Sequence, residues 1–181
     1  MIRKIDEKLS EIRLLLLDVD GVLTEGDIVY TDEKVEIKRF DVKDGLGLRL
    51  LMDAGVGVGI VTGRRSKSLV HRCENLGVTL IFDGVKDKAA LLDDIKKRTG
   101  VLFRQMAFVG DDLPDMPIMN EVGLSVAVSN AHEIVRDNAD MVTLAKGGRG
   151  AVREVCEAIL KAKGLWEKIV ENFTLSRKEK K

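Results

Sequence analysis

Apolar residues at Ile2, Ile5, Leu9 and Ile12 return every three or four positions with charged residues between them, which predicts a short amphipathic helix leading into the chain. The run Ile12 to Leu17 that follows is too apolar for a surface strand and too short for a typical helix. It reads as a buried parallel strand, ending in Asp18-Val19-Asp20-Gly21. Next, Ile28 and Tyr30 alternate with polar neighbours before the turn Thr31 to Lys34, and Val35 and Ile37 alternate after it. This period of two on either side of a polar turn predicts a β-hairpin near residues 26–40. Placed directly after the first strand, it cannot belong to an ordinary strand-helix crossover. It is expected to project from the sheet and either shield a site or join a neighbouring subunit.

Beyond the hairpin the period switches regularly. Helices are expected near 45–54, 66–75 and 87–98, with strands at GVGIVT (57–62), VTLIF (78–82) and QMAFVG (105–110). A shorter set follows: strand GLSVAV (123–128), helix 131–139, strand MVTL (141–144) and a closing helix over 150–164. Alternation of this kind predicts an α/β fold with a doubly wound, mostly parallel sheet. No repeat and no Pro/Ser-rich linker divides the chain, so residues 1–173 are expected to form one domain and 174–181 a charged, disordered tail.

Composition narrows the function classes. The 30 basic and 30 acidic residues of the 181 cancel, so no global field draws in nucleic acid or anionic membrane, and an anionic ligand must be held locally. Cys73 and Cys156 form no CxxC pair and fall within helix-like segments, as expected of buried thiols in a reducing compartment. The first residues lack a signal-peptide layout and Leu14 to Leu17 is far too short to span a bilayer, so a cytoplasmic protein is expected. Gly55, Gly57 and Gly59 precede a strand and lack the GxGxxG spacing into a helix, which excludes a dinucleotide fingerprint there.

In an open parallel sheet the ligand lies beyond the carboxyl ends of the strands. Those ends carry Asp18 and Asp20, then Thr62-Gly63-Arg64, then Gly110-Asp111-Asp112 followed by Asp115, with Lys88 at the start of an intervening helix. Carboxylates packed at one rim raise one another's pKa unless a cation sits among them. Every candidate ligand is an oxygen, and no histidine or cysteine is near in sequence, which favours Mg2+ over zinc. Each motif alone is weak; their order, each at a strand or helix terminus, is not.

That order resembles the four motifs of the haloacid dehalogenase superfamily, matched here by DVDGVLT, VTGR, Lys88 and GDDLPD, and the resemblance spans nearly the whole chain. It implies Asp18 as nucleophile and metal ligand, and Asp20 as acid/base that binds metal through its main-chain carbonyl. It further implies Thr62, Gly63 and Lys88 as phosphate-binding residues, Asp111 as a metal ligand, and Asp112 and Asp115 as supporting residues behind the ligands. Within the superfamily, FDVKDGLG, TGRRSKS, GDDLPDMPIM, GLSVAVSNAH and GGRGAVREVCEAIL resemble the phosphatases of 3-deoxy-D-manno-octulosonate 8-phosphate. This implies a fold without a cap domain, a homotetramer in which the hairpin of one subunit covers a neighbour's site, and a place in lipopolysaccharide supply. Nothing between Gly21 and Thr62 is long enough for a separate cap. A sugar acid carries a carboxylate besides its phosphate, so cationic groups beyond the phosphate pocket are expected, with Arg64, Lys67 and Arg149 as candidates.

Other functions stay open at this point: a phosphatase of a nine-carbon sugar acid 9-phosphate, with the same catalytic set, and a non-catalytic module associated with sugar-nucleotide synthesis. The intact Asp18, Asp20, Lys88 and Asp111 stand against the second. A phospho-accepting signalling receiver would have no use for Asp20.

Overall fold

The computed structural model describes residues 2–175. It opens with helix α1 (Ile2–Glu11), which buries Leu9 and leads through Ile12 into strand β1 (Leu14–Leu17). All four leucines of β1 are buried because the strand is central: it pairs in parallel with β4 (Gly57–Val61) on one side and β6 (Met106–Gly110) on the other. Between β1 and β4 the chain makes a two-stranded antiparallel hairpin, β2 (Val29–Tyr30) with β3 (Glu36–Ile37), and then helix α2 (Val42–Asp53).

The remaining elements follow as α3 (Lys67–Leu76), β5 (Leu80–Phe82), α4 (Leu92–Thr99), α5 (Met116–Met119), β7 (Leu124–Ala127), α6 (Glu133–Asn138), β8 (Met141–Val142), α7 (Ala151–Ala162) and α8 (Trp166–Leu175). The six-stranded sheet has the order β5-β4-β1-β6-β7-β8, all parallel, with the hairpin as a separate sheet. The chain thus builds outward from β1 through β4 to β5, returns to β6 on the other side, and builds outward again. The carboxyl ends of β1, β4 and β6 therefore meet around the point of reversal.

The expected doubly wound sheet and the hairpin as a separate pair of strands are both present, and the hairpin, expected to project from the sheet, packs Glu36 and Lys38 against Arg64 and Asp20. Boundaries differ locally. The helix expected from residue 87 begins as a 3-10 turn at Ala89–Leu91, and the hairpin pairs only two residues per strand. Helix α8 was not foreseen, although Trp166, Ile169, Val170 and Phe173 carry a helical spacing. It includes residues 174 and 175, where a tail was expected to start; the rest of that expected tail, 176–181, lies outside the described residues. No helix among the described residues is long and apolar enough to cross a membrane.

Candidate active site

Asp18 continues β1 by one residue: its amide donates to Val109 O at 3.0 Å, so the parallel ladder fixes the main chain on which the carboxylate sits. The next residues turn tightly. Val22, Leu23 and Thr24 all donate their amides to Val19 O, and the Thr24 hydroxyl accepts from the Gly21 and Gly26 amides. Gly21 has φ +91°, and a β-carbon there would lie 2.0 Å from Asp111 Oδ2, so only glycine lets this turn lie against the β6 carboxylate.

Thr62 directly follows β4, buried, with its amide on Phe82 O and its carbonyl accepting from Val85 N. Lys88 is the residue before the 3-10 turn and is 6% exposed. Its Nζ donates to Asp18 Oδ1 at 2.7 Å and to Asp115 Oδ1 at 2.5 Å, and it lies 5.7 Å from the centre of the Phe108 ring. Beyond β6, Asp112 caps the short turn Leu113–Asp115 by accepting from Leu113 N. Asp115 reaches back and accepts the Asp111 and Asp112 amides on Oδ2, at 2.9 and 3.4 Å. Both oxygens of Asp115 are therefore engaged by the protein, one by Lys88 and one by main chain.

Asp18, Asp111 and Asp115 each offer a carboxylate oxygen, and the three atoms lie within 4.8 Å of one another. Burial raises the pKa of Asp111 to about 7, with the charges of Asp115 and Asp18 adding to the effect. Burial likewise raises Asp18 to about 6, with Asp115 adding and Lys88 opposing. For Lys88 itself burial works against the charge, but Asp18 and Asp115 more than offset it, and the pKa is raised. Three carboxylates against one ammonium leave two negative charges unbalanced in a half-closed site. An oxygen-only donor set with that deficit fits a hard divalent cation, and the fit is better for Asp18 and Asp111 than for the doubly occupied Asp115.

The Asp20 side chain is not part of this cluster. Its Oδ1 accepts from Lys38 Nζ, and its Oδ2 faces Arg64 Nε at 3.4 Å. Arg64 in turn pairs with Glu36 at 2.9 Å and reaches the Tyr30 hydroxyl. Asp18, Asp20, Thr62, Gly63, Arg64, Lys88, Asp111, Asp112 and Asp115 line one cleft of about 380 Å³, together with Gly26, Val85, Lys86 and Pro114. Lys67 instead lines a neighbouring cavity with Ser66, Val70 and His71, and Arg149 pairs with Glu25 at 3.0 Å.

Sequence reasoning had missed Glu36, Lys38 and Lys86. The first two had a signal, since a period of two puts both on the hairpin face opposite Ile37. Lys86 had none, being one charged residue in a polar loop.

Comparison with known proteins agrees with this geometry. The model of the haloacid dehalogenase-like hydrolases matches residues 78–155, which include Lys88, Asp111 and Asp115. The Escherichia coli 3-deoxy-D-manno-octulosonate 8-phosphate phosphatase KdsC is 45% identical over 157 residues, covering 87% of this chain and 84% of the relative. This chain belongs to the 3-deoxy-D-manno-octulosonate 8-phosphate phosphatase family. A family member from Moraxella catarrhalis, solved in complex with a magnesium ion, a phosphate ion and a KDO molecule, superposes with a TM-score of 0.93. It is 40% identical, over 96% of this chain and 99% of the other. The cobalt-bound form of the Haemophilus influenzae phosphatase superposes at 0.85 and is 41% identical, covering 88% and 93%. In this phosphatase family, then, the carboxylate cluster at the strand tips lies within a fold whose members have been solved with divalent ions.

Proposed function

We propose that this chain is a Mg2+-dependent phosphomonoesterase that hydrolyses 3-deoxy-D-manno-octulosonate 8-phosphate to the free sugar acid and phosphate, through an aspartyl-phosphate on Asp18. The observation that carries it is the meeting of Asp18, Asp111 and Asp115 around Lys88 in a cleft that also holds Thr62 and Asp20. The identity with relatives of that activity over most of both chains supports the substrate.

An Asp18 carboxylate oxygen attacks phosphorus, and the bond from phosphorus to the sugar oxygen breaks. Asp20 delivers a proton to that departing oxygen, then takes one from the water that attacks the phosphoaspartate, so Asp18 and Asp20 both return to their starting state. Thr62, Gly63 and Lys88 hold the phosphoryl oxygens, and Asp115 keeps Lys88 beside Asp18. Asp18, Asp111 and the Asp20 carbonyl would hold a divalent ion, which would supply Lewis-acid neutralisation of the charge on the phosphoryl group. Arg64 and Lys86 would meet the sugar-acid carboxylate: both line the cleft, Arg64 already pairing with Glu36, and Lys86 has no ion pair or hydrogen bond among the described residues. Lys67 and Arg149 would act further out.

The reading extends to assembly and setting. Ile28, Val29, Tyr30, Val35 and Ile37 are each roughly half exposed on the hairpin, an apolar surface suited to a homotetramer in which hairpins pack against neighbouring subunits. The free, buried Cys73 and Cys156 suit a reducing cytoplasm, where the product would serve lipopolysaccharide synthesis.

The test is phosphate release with magnesium against a panel that includes the eight-carbon substrate and a nine-carbon sugar acid 9-phosphate. The eight-carbon compound should give the highest kcat/KM. Asp18→Asn should abolish turnover, and Asp20→Asn should lower it by at least about a hundredfold. Full activity in Asp18→Asn would remove the nucleophile from the scheme.

A further inference from the structure

Two charged side chains of the hairpin have no part in the chemistry so far. Glu36 and Lys38 sit two residues apart, so they leave the strand on the same face. The Lys38 side chain is only 3% exposed; its Nζ donates to Asp20 Oδ1 and lies 2.9 Å from Glu36 Oε1. Glu36 Oε2 accepts from Arg64 Nη2 at 2.9 Å, and Arg64 Nε returns to Asp20 Oδ2 at 3.4 Å. Two acids and two bases thus close a ring around the Asp20 carboxylate.

The ring is not symmetrical about Asp20. Oδ1 has a donor, whereas Oδ2 is buried and has no hydrogen-bond partner among the described residues, because Arg64 Nε faces it without hydrogen-bond geometry. The last torsion of an aspartate is broad and roughly two-fold, so an unanchored carboxylate presents either oxygen in many orientations. A buried ammonium on one oxygen removes that freedom and leaves the other open for a proton.

We propose that Lys38 is a positioning residue: it fixes Asp20 Oδ1 so that Oδ2 carries the proton to the departing sugar oxygen, and Glu36 holds Lys38 in place. This rests on the acid/base role of Asp20 given above. As the bond from phosphorus to oxygen breaks, its electron pair stays on the sugar oxygen, and the proton passes to that pair from Oδ2. Lys38 gains and loses no proton.

Leaving groups separate this role from a structural one. The value of kcat/KM reports events up to the first irreversible step, phosphoryl transfer with departure of the alcohol. A sugar alkoxide needs the proton; p-nitrophenolate does not. Lys38→Met should lower kcat/KM about a hundredfold for the sugar phosphate and less than about threefold for p-nitrophenyl phosphate. Lys38→Arg should recover most of the loss. Glu36→Gln, which leaves the ammonium but loosens it, should show the same selectivity at smaller size and serves if Lys38→Met does not fold. Equal losses on both substrates, or none on either, would overturn the proposal. Asp20→Asn run in parallel assigns the failure: if it shows the leaving-group dependence and the Lys38 and Glu36 variants do not, only the positioning role falls. If it does not, the acid/base role falls and takes the positioning role with it.

Discussion

At the scale of single residues, the cluster of Asp18, Asp111 and Asp115 holds more acid than the Lys88 ammonium can balance. Asp18 and Asp111 titrate near 6 and 7 in the folded chain against an ordinary 3.8, so across that interval the folded state binds more protons than the unfolded state. The stability tied to these groups is complete below pH 3.8 and is lost as pH rises through about 6 and then about 7. A divalent ion acts in the opposite sense, since it binds only the folded, deprotonated cluster. Magnesium should therefore raise the melting temperature more at about pH 7.5 than at about pH 5.5, and chelation should cost more at the higher pH. Thermal melts with magnesium or chelator at the two pH values check this; equal shifts would mean that the carboxylates do not bind the ion as a protonation-linked set.

Among elements, α7 is tied to the turn after β1 by contacts distant in sequence. Asp44 on α2 is fully buried and accepts the Arg153 amide at 2.7 Å, with the Gly150 amide also acting on it, so it caps the N-terminus of α7 from another helix. Burial raises its pKa to about 6. Just before α7, a β-carbon on Gly147 would stand 1.6 Å from Gly21 O, and the Gly148 amide donates to Val22 O at 2.8 Å. Asp44→Ala should lower stability by about 1–3 kcal/mol and Asp44→Asn by less, because an amide oxygen still accepts from Arg153, as denaturant melts can measure. Gly147→Ala should reduce kcat at least about tenfold with the fold intact, since the turn bearing Asp20 must shift, and a tenfold loss corresponds to only about 1.4 kcal/mol.

These contacts also mark what the sequence could and could not reveal. Buried β1, the hairpin and the strand-end acids were legible because period and terminal position are local properties of a few adjacent residues. The glycines before α7 were legible as a break in the chain but not as a close approach, which depends on Gly21 far away in sequence. Asp44 lay inside a motif that carried the resemblance, yet its partner is 109 residues away and no spacing rule connects them. The ring around Asp20 was hidden for the same reason: Lys38 reads as a solvated strand residue until the hairpin folds back over the turn after β1.

For the whole molecule, the proposed assembly would make the hairpin a link between the cleft and the subunit contacts. One of its faces sends Glu36 and Lys38 toward the cleft, with Tyr30 opposite Glu36 accepting from Arg64, while Val29 and Ile37, paired on the other face, stay 48% and 50% exposed. A charge placed on the apolar surface should dissociate subunits without touching the carboxylate cluster. Val29→Glu with Ile37→Glu should shift the mass by light scattering from a tetramer to smaller species and lower kcat/KM for the sugar acid phosphate more than for p-nitrophenyl phosphate. A monomeric wild type would exclude the assembly proposed for this chain.

The placement of β1 has a consequence for how the protein opens. Its four leucines are shielded on both faces and paired on both edges, so their amides can take up deuterium only when the sheet as a whole comes apart. The hairpin, with two pairs of residues and its apolar side chains about half exposed, should exchange by local fraying. The carboxylate proposed to take the phosphoryl group is thus mounted beside a slow-opening segment and Lys38, proposed to steer its proton partner, on a fast one, so agents that loosen the periphery should silence turnover long before the chain unfolds.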